Sequence, residues 1–469
     1  MRLPAEELAR LRHLEFRNEG ALSRAFITGV STDTRTLRPG DLFFALRGGQ
    51  YDGHGFLTQA FAAGAVAAVV EAPARVEVEA TRPLLVVEDS VRALGELAHL
   101  YRTGFKIPVM AIAGSNGKTT TKDMIARVLH GRYTVLSTEG NLNNHIGVPQ
   151  TLLRLNAKHE IAVVEVGTNH PGEIAYLCRM LEPTHGMITN VGKEHLEYFR
   201  NIEGVAREEG SLFAALRARK GSVAFLNVDD PLVVAHAKDL RGKVSYGMAH
   251  ARADVQGTVR KYDRSGCARL QIKARGRKTP ISVHLKVPGE ANAANALAAA
   301  TVGLTFNVSA GRIRRALESF VATSKRMEVV RINGVTVLND TYNANPDSMR
   351  AALNVLVQTA AKGKKIAVLA DMLELGAYGA EEHARIGKTV ADLGIHYLLT
   401  YGALARQIHD GARMPLAVHY ENKNILAEYL AELLSPGDVV LVKGSRGMKM
   451  EDVVTFLEER LRSGPSGGR

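Results

Sequence analysis

A chain of 469 residues with 46% hydrophobic and 23% charged side chains has enough apolar material for packed cores and too little charge bias for disorder, and its length predicts about three domains. The net charge of +12 raises the question of nucleic acid, yet the basic residues read as scattered, with no stripe interleaved by aromatics. That argues for small anionic substrates instead. No stretch has the apolar run of a secretory signal or of a membrane span, so a cytoplasmic chain is expected; Cys178 and Cys267 lack disulfide or zinc spacing and read as inert core thiols.

Short β-branched runs alternate with longer helical stretches, the pattern of parallel sheets covered by helices. VAAVVE (66–71) and PLLVVED (83–89) predict strands, and SVRALGELAHLYR (90–102) predicts a helix. The pattern then restarts. KIPVMAIAG (106–114) reads as a buried strand running into a glycine loop, followed by a helix that places Met124, Ile125, Val128 and Leu129 on one face. Further strands are predicted at 160–167, 186–192 and 222–230, each ending in polar residues where a doubly wound sheet holds its ligands. Residues 252–287 alternate apolar and charged and predict antiparallel strands appended to that sheet; the alanine-rich stretch 290–304 is a helix. After TSKRMEVVRING a third pattern begins, with strands at 334–340, 364–372, 396–402 and 438–445 and four helices. Domains are therefore expected at 1–95, 96–322 and 323–463, with an unstructured tail at 464–469.

The stretch GSNGKTTT (114–121) carries the clearest chemistry. A strand-to-helix turn rich in glycine presents backbone N–H groups and a helix N-terminus to phosphate oxygens; Lys118 adds a charge for the β- and γ-phosphates and Thr119 a magnesium ligand. The first glycine of the usual loop is missing at Ile112 and displaced to Gly114. Glu165 and His195, at the ends of later strands, suit magnesium and substrate oxygens.

The loop GSNGKTTTK resembles that of the Mur ligases and folylpolyglutamate synthases, ATP-dependent amide-forming enzymes of three domains. STDTR (31–35), PGDLFFALRG (39–48), YDGHGF (51–56), GNLNNHIGVPQTLL (140–153), DTYNANPDSM (340–349), ADMLELG (370–376) and KGSRGMKME (443–451) extend the resemblance over most of the chain. It implies a small α/β N-terminal domain that binds a UDP-linked substrate, a central P-loop ATPase domain with a mostly parallel sheet, and a Rossmann-like α/β C-terminal domain. It further implies ligation of D-alanyl-D-alanine to UDP-N-acetylmuramoyl-tripeptide through an acyl phosphate, with ATP and Mg²⁺, by a monomer.

By the same resemblance ATP lies against Gly114, Ser115, Asn116, Gly117, Lys118, Thr119, Thr120, Asn292, Asn295, Arg326 and Asp340. Thr119, Glu165 and His195 hold magnesium, while Ser31, Thr34, Arg35, Asp52, Gly53 and His54 meet the UDP substrate. Asn343 and Asn345 lie where the dipeptide enters, although turn chemistry ahead of Pro346 accounts for both equally well. Two positions depart from the pattern. Glu209 stands where the family usually has a carbamylated lysine, and is expected to supply a permanent carboxylate toward magnesium; the alternative is weakened activity. Glu290 replaces a common histidine near the adenine and has a plain reading as an acid at a helix N-terminus. A sibling that adds the third amino acid remains open, though its Asp-Asn-Pro-Arg signature is absent here.

Overall fold

The computed structural model describes all residues except 2, 19–21, 23–25, 50, 73–80, 323 and 463–469. The expected domain start at 323 and the expected tail lie outside the described residues. Three large sheets carry the architecture. The first has five strands; Gly29–Ser31, Asp41–Phe44, Ala67–Glu71 and Leu84–Val87 are parallel, and Glu15–Arg17 adds an antiparallel edge. Its earliest strands escaped the sequence reading because three or four residues hold too little periodicity to register.

In the central sheet of nine strands, Val109–Ala113 lies between Ile161–Glu165 and His185–Ile188, all parallel. The loops leaving these strands therefore converge at one sheet edge, the position where open α/β sheets bind ligands. Val255–Tyr262, Cys267–Ala274 and Ile281–Pro288 extend the sheet; the latter two pair antiparallel, as the alternation at 252–287 predicted. The third sheet has six strands with Val335–Asp340, Val439–Lys443, Lys365–Ala370, Tyr397–Tyr401 and Ala417–Tyr420 parallel in that spatial order.

Helix Ser90–Thr103 joins the first two sheets. Its Asp89 N-cap accepts from the Arg92 N–H, and Leu94, Leu97 and Ala98 are fully buried in a core that also holds Leu85 of the first sheet and Ile174 and Leu181 of the central domain. Each buried leucine stabilises by about 2 kcal/mol. Arg102 seals the joint: its guanidinium, taken out of water, donates to the carbonyls of Phe105, Leu181 and Glu182. Among the described residues no helix is long and apolar enough to cross a membrane.

Candidate active site

The fully buried strand Val109–Ala113 ends at Gly114, and helix Lys118–Leu129 starts after Gly117. Gly114 has φ +116°, and a Cβ there would come within 2.3 Å of Thr189 Oγ1. The displaced glycine thus marks where the loop presses on the neighbouring strand end. Gly117 has φ +78°, and a Cβ would lie 2.7 Å from Asn295 Oδ1. Between them the Asn116 backbone is fixed by Asn190, whose side chain accepts from its N–H and donates to its carbonyl, and by the Thr189 hydroxyl.

Lys118 sits among carboxylates. Its Nζ donates to the Gly114 carbonyl at 2.5 Å and lies 3.6 Å from Glu194 Oε2. Burial alone would depress this ammonium, but Glu194, Glu209 and Glu165 outweigh that and raise its pKa, so the lysine stays charged. Glu165 is 1% exposed; its Oε1 accepts from Thr119 Oγ1 at 3.1 Å and Asn143 Nδ2 at 2.8 Å, while its Oε2 has no hydrogen-bond partner. Glu194 Oε1 and Glu209 Oε1 are likewise buried and unpartnered. Unsatisfied carboxylate oxygens beside a threonine hydroxyl are hard donors of the kind that suits Mg²⁺. Among the described residues no three His, Cys, Asp or Glu side chains form a ready metal cage.

His195, in the left-handed region at φ +47° and 12% exposed, caps the short helix Leu196–Phe199. Its Nδ1 is 2.6 Å from Glu374 Oε2 but off the line of a good hydrogen bond, so the contact is mainly electrostatic. The imidazole in turn holds the Glu374 carboxyl below its usual range. Glu209 stands elsewhere. It is fully buried behind the phosphate loop and accepts the Gly114 N–H at 2.7 Å. Burial raises its pKa, with Lys118 opposing and Glu194 adding to the rise.

In front of the loop opens a cavity of about 730 Å³ lined by the central and C-terminal domains. Ser115 to Thr120, Glu165 and His195 line it; so do Asn292, Asn295, Arg326, Asp340, Asn343 and Asn345. Gly114 and Glu209 are not on its wall. Asn292 donates to the Pro288 carbonyl and accepts from Asn295, which presses on Gly117. The Arg326 guanidinium lies 3.6 Å from the Tyr342 ring centroid. Asp340 is pinned by Lys443 Nζ at 2.6 Å and the Met327 N–H at 2.9 Å. Asn345 is committed: its Oδ1 caps helix Pro346–Gln358 and its Nδ2 donates to Asn116 Oδ1 of the phosphate loop at 2.9 Å. Asn343 Oδ1 accepts the Arg446 N–H at 3.3 Å.

Sequence reasoning passed over Glu194, Asn143, Glu374 and Lys443. Glu194 adjoined a quoted motif residue, and Lys443 opened KGSRGMKME, but nothing in their spacing said that they would point at Lys118 or Asp340.

The six residues expected at the UDP substrate form a separate group, away from the cavity wall. Ser31 donates to the Asp33 carbonyl, and Arg35 holds Asp33 through two nitrogens, pulling its carboxyl down to about 2. Thr34 lies in the same turn. On the next loop Asp52 precedes Gly53 and accepts from the His54 N–H and Nδ1, while His54 Nε2 accepts the Glu71 N–H, which places the ring proton on Nδ1.

A phosphate loop at a strand end, facing a cavity closed by another α/β domain, defines a multidomain nucleotide-dependent enzyme. Three family models match in succession: "Mur ligase family, catalytic domain" over residues 26–102, "Mur ligase middle domain" over 112–303, and "Mur ligase, glutamate ligase domain" over 325–446. The chain belongs to the Mur ligase family. It is 36% identical to the UDP-N-acetylmuramoyl-tripeptide–D-alanyl-D-alanine ligase of Bacillus subtilis (strain 168), covering 92% of this chain and 93% of that one. With the enzyme of the same name from Escherichia coli (strain K12) it shares 35% identity over 94% and 96% of the two chains. The crystal structure of MurF from Acinetobacter baumannii superposes with a TM-score of 0.89 at 30% identity, over 98% of this chain and 99% of that one. MurF ligase from Thermotoga maritima, in complex with ADP, gives 0.81 at 27% identity, over 93% and 98%.

Proposed function

We propose that this protein joins D-alanyl-D-alanine to UDP-N-acetylmuramoyl-tripeptide at the expense of ATP, in the cytoplasmic steps of peptidoglycan synthesis. One observation carries the reading: a lysine kept charged by three buried glutamates, each with an open oxygen, beside a cavity shared by two domains. A carboxylate is a poor electrophile and repels the triphosphate, so the site has to neutralise both before the acid can take the γ-phosphoryl group.

In this reading the N–H groups from Gly117 to Thr119 and the Lys118 ammonium bind the phosphates. Thr119 and Glu165 hold one magnesium ion, with His195 toward a second. The metal, when bound, supplies charge neutralisation between phosphate oxygens. Arg326 reaches the γ-phosphate, Asp340 the ribose, and Asn292 and Asn295 the base. Asn343 meets the dipeptide directly, and Asn345 stands at the same entrance with its side chain already engaged. The amine of the dipeptide attacks the acyl phosphate and phosphate leaves. The loops carrying Ser31, Thr34 and Arg35 and Asp52, Gly53 and His54 grip the UDP end. Glu209 contributes from behind the loop, through Gly114 and Lys118, with a carboxyl group that needs no bicarbonate to form.

The test is phosphate release with each substrate omitted in turn, with and without bicarbonate, and mass analysis of the muramyl product. Turnover is expected only with all three substrates present and irrespective of bicarbonate. Peptide extension without transfer of ¹⁸O from the labelled tripeptide carboxylate into released phosphate would overturn the acyl-phosphate route.

A further inference from the structure

The charge is not scattered after all. Residues 255–288 hold nine lysines and arginines against one acid, Asp263, a net +8 of the chain's +12. They form the three-stranded extension of the central sheet. Its inner side chains, among them Leu270, Ile272, Val283 and Leu285, are buried with Leu297 and Ala300 of helix Glu290–Thr305 and Ile313 of helix Ala310–Glu318. Alternation then turns Lys261, Arg269, Lys273 and Lys286 outward, and the register shift between Val259 and Lys261 puts Arg260 beside them, all exposed. Lys261 and Arg269 are direct cross-strand partners, a like-charge pairing that destabilises a sheet.

Three of the acids nearby are already engaged and do not relieve it. Asp263 is taken by His284, Glu318 by Arg314 and the His284 N–H, and Asp254 by Arg275 and Ser245. Arg260 bonds only the neutral Gln271. Cross-strand neighbours stand about 5 Å apart and alternate residues about 7 Å, inside a Debye length at about 0.1 M salt, so the cations act as one field.

We propose that this face docks the protein on an anionic lipid bilayer. An open sheet face with spread point charges is complementary to a layer of lipid phosphates. It offers no groove for a polymer, and the outward positions carry no Phe, Tyr or Trp on which bases could stack. No large apolar side chain is exposed on it among the described residues, so the contact is peripheral and reversible by salt.

The experiment is cosedimentation of the full-length protein with vesicles of phosphatidylcholine alone or mixed with phosphatidylglycerol, in low salt and at about 0.1 M. Binding is expected to the anionic vesicles only, and to weaken as salt rises. The variant R260E/K261E/R269E/K273E should partition about a hundredfold more weakly or worse, with ligation activity unchanged; R260Q/K261Q/R269Q/K273Q should fall between. Equal binding to neutral vesicles, no binding by the wild type, full binding by the reversed variant, or tighter binding to duplex DNA or polyglutamate would each overturn the proposal. Ligation measured on the same preparations keeps this outcome separate from the function proposed above.

Discussion

The nucleotide end of the cavity and the N-terminal loops are built on opposite principles. Around Lys118 the charges are buried and facing one another, with carboxylate oxygens left open. Around Arg35 the partner is a neighbour two residues away, and the arginine side chain is 87% exposed. Buried charges hold one geometry and lose heavily when a partner goes, whereas an exposed local pair costs little to rearrange. The first suits electrostatics that must be in place before phosphoryl transfer; the second suits loops that reshape around a large substrate.

Breaking the buried cluster should have the largest effect. Lys118→Met removes the ammonium that lies among Glu165, Glu194 and Glu209 while keeping most of the stem, and kcat/KM for ATP is expected to fall about a thousandfold or more in a phosphate-release assay. Glu165→Gln keeps an acceptor for Thr119 and Asn143 but removes the charge of the open oxygen. The magnesium concentration for half-maximal turnover should rise about tenfold to a hundredfold, with thermal stability nearly unchanged.

Much of this end was legible in the sequence because it is local. The strand, the glycine turn and Lys118 lie within a dozen residues, and periodicity places them on consecutive elements. The appended strands at 252–287 showed themselves by alternation for the same reason. What stayed hidden depends on separation in the chain. The Gly114–Glu209 contact spans 95 residues, Lys443–Asp340 spans 103 and Asn345–Asn116 spans 229, and no spacing rule reports side chains brought together by a sheet. The basic face was missed for a related reason: its residues are separated in sequence by apolar ones, and only the pleat gathers them.

The exposed end predicts a milder and more selective loss. Arg35→Ala should raise KM for the UDP substrate about tenfold and leave KM for ATP unchanged, since Arg35 is away from the cavity wall. Asn345→Ser sharpens the contrast from the C-terminal side. Serine caps a helix about as well as asparagine but is too short to reach Asn116. A loss of about one hydrogen bond, roughly 1 kcal/mol or fivefold in kcat, is expected with the melting temperature held; Asn345→Ala should lose the cap as well and melt lower.

The smallest effect lies where the two styles meet. Glu374 is 46% exposed yet 2.6 Å from the partly buried His195, which holds its carboxyl below the ordinary range. A carboxyl whose pKa is lowered in the folded state stabilises above its unfolded pKa, and that contribution fades as pH falls through the folded value. The wild type should therefore exceed Glu374→Gln in thermal stability near neutrality, and the two should converge on acidification below about pH 4, the ordinary carboxylate range. Solvent screening keeps the gap small. A gap that stayed constant across the acid range would mean that Glu374 acts by packing, and that the C-terminal domain holds the histidine without using charge.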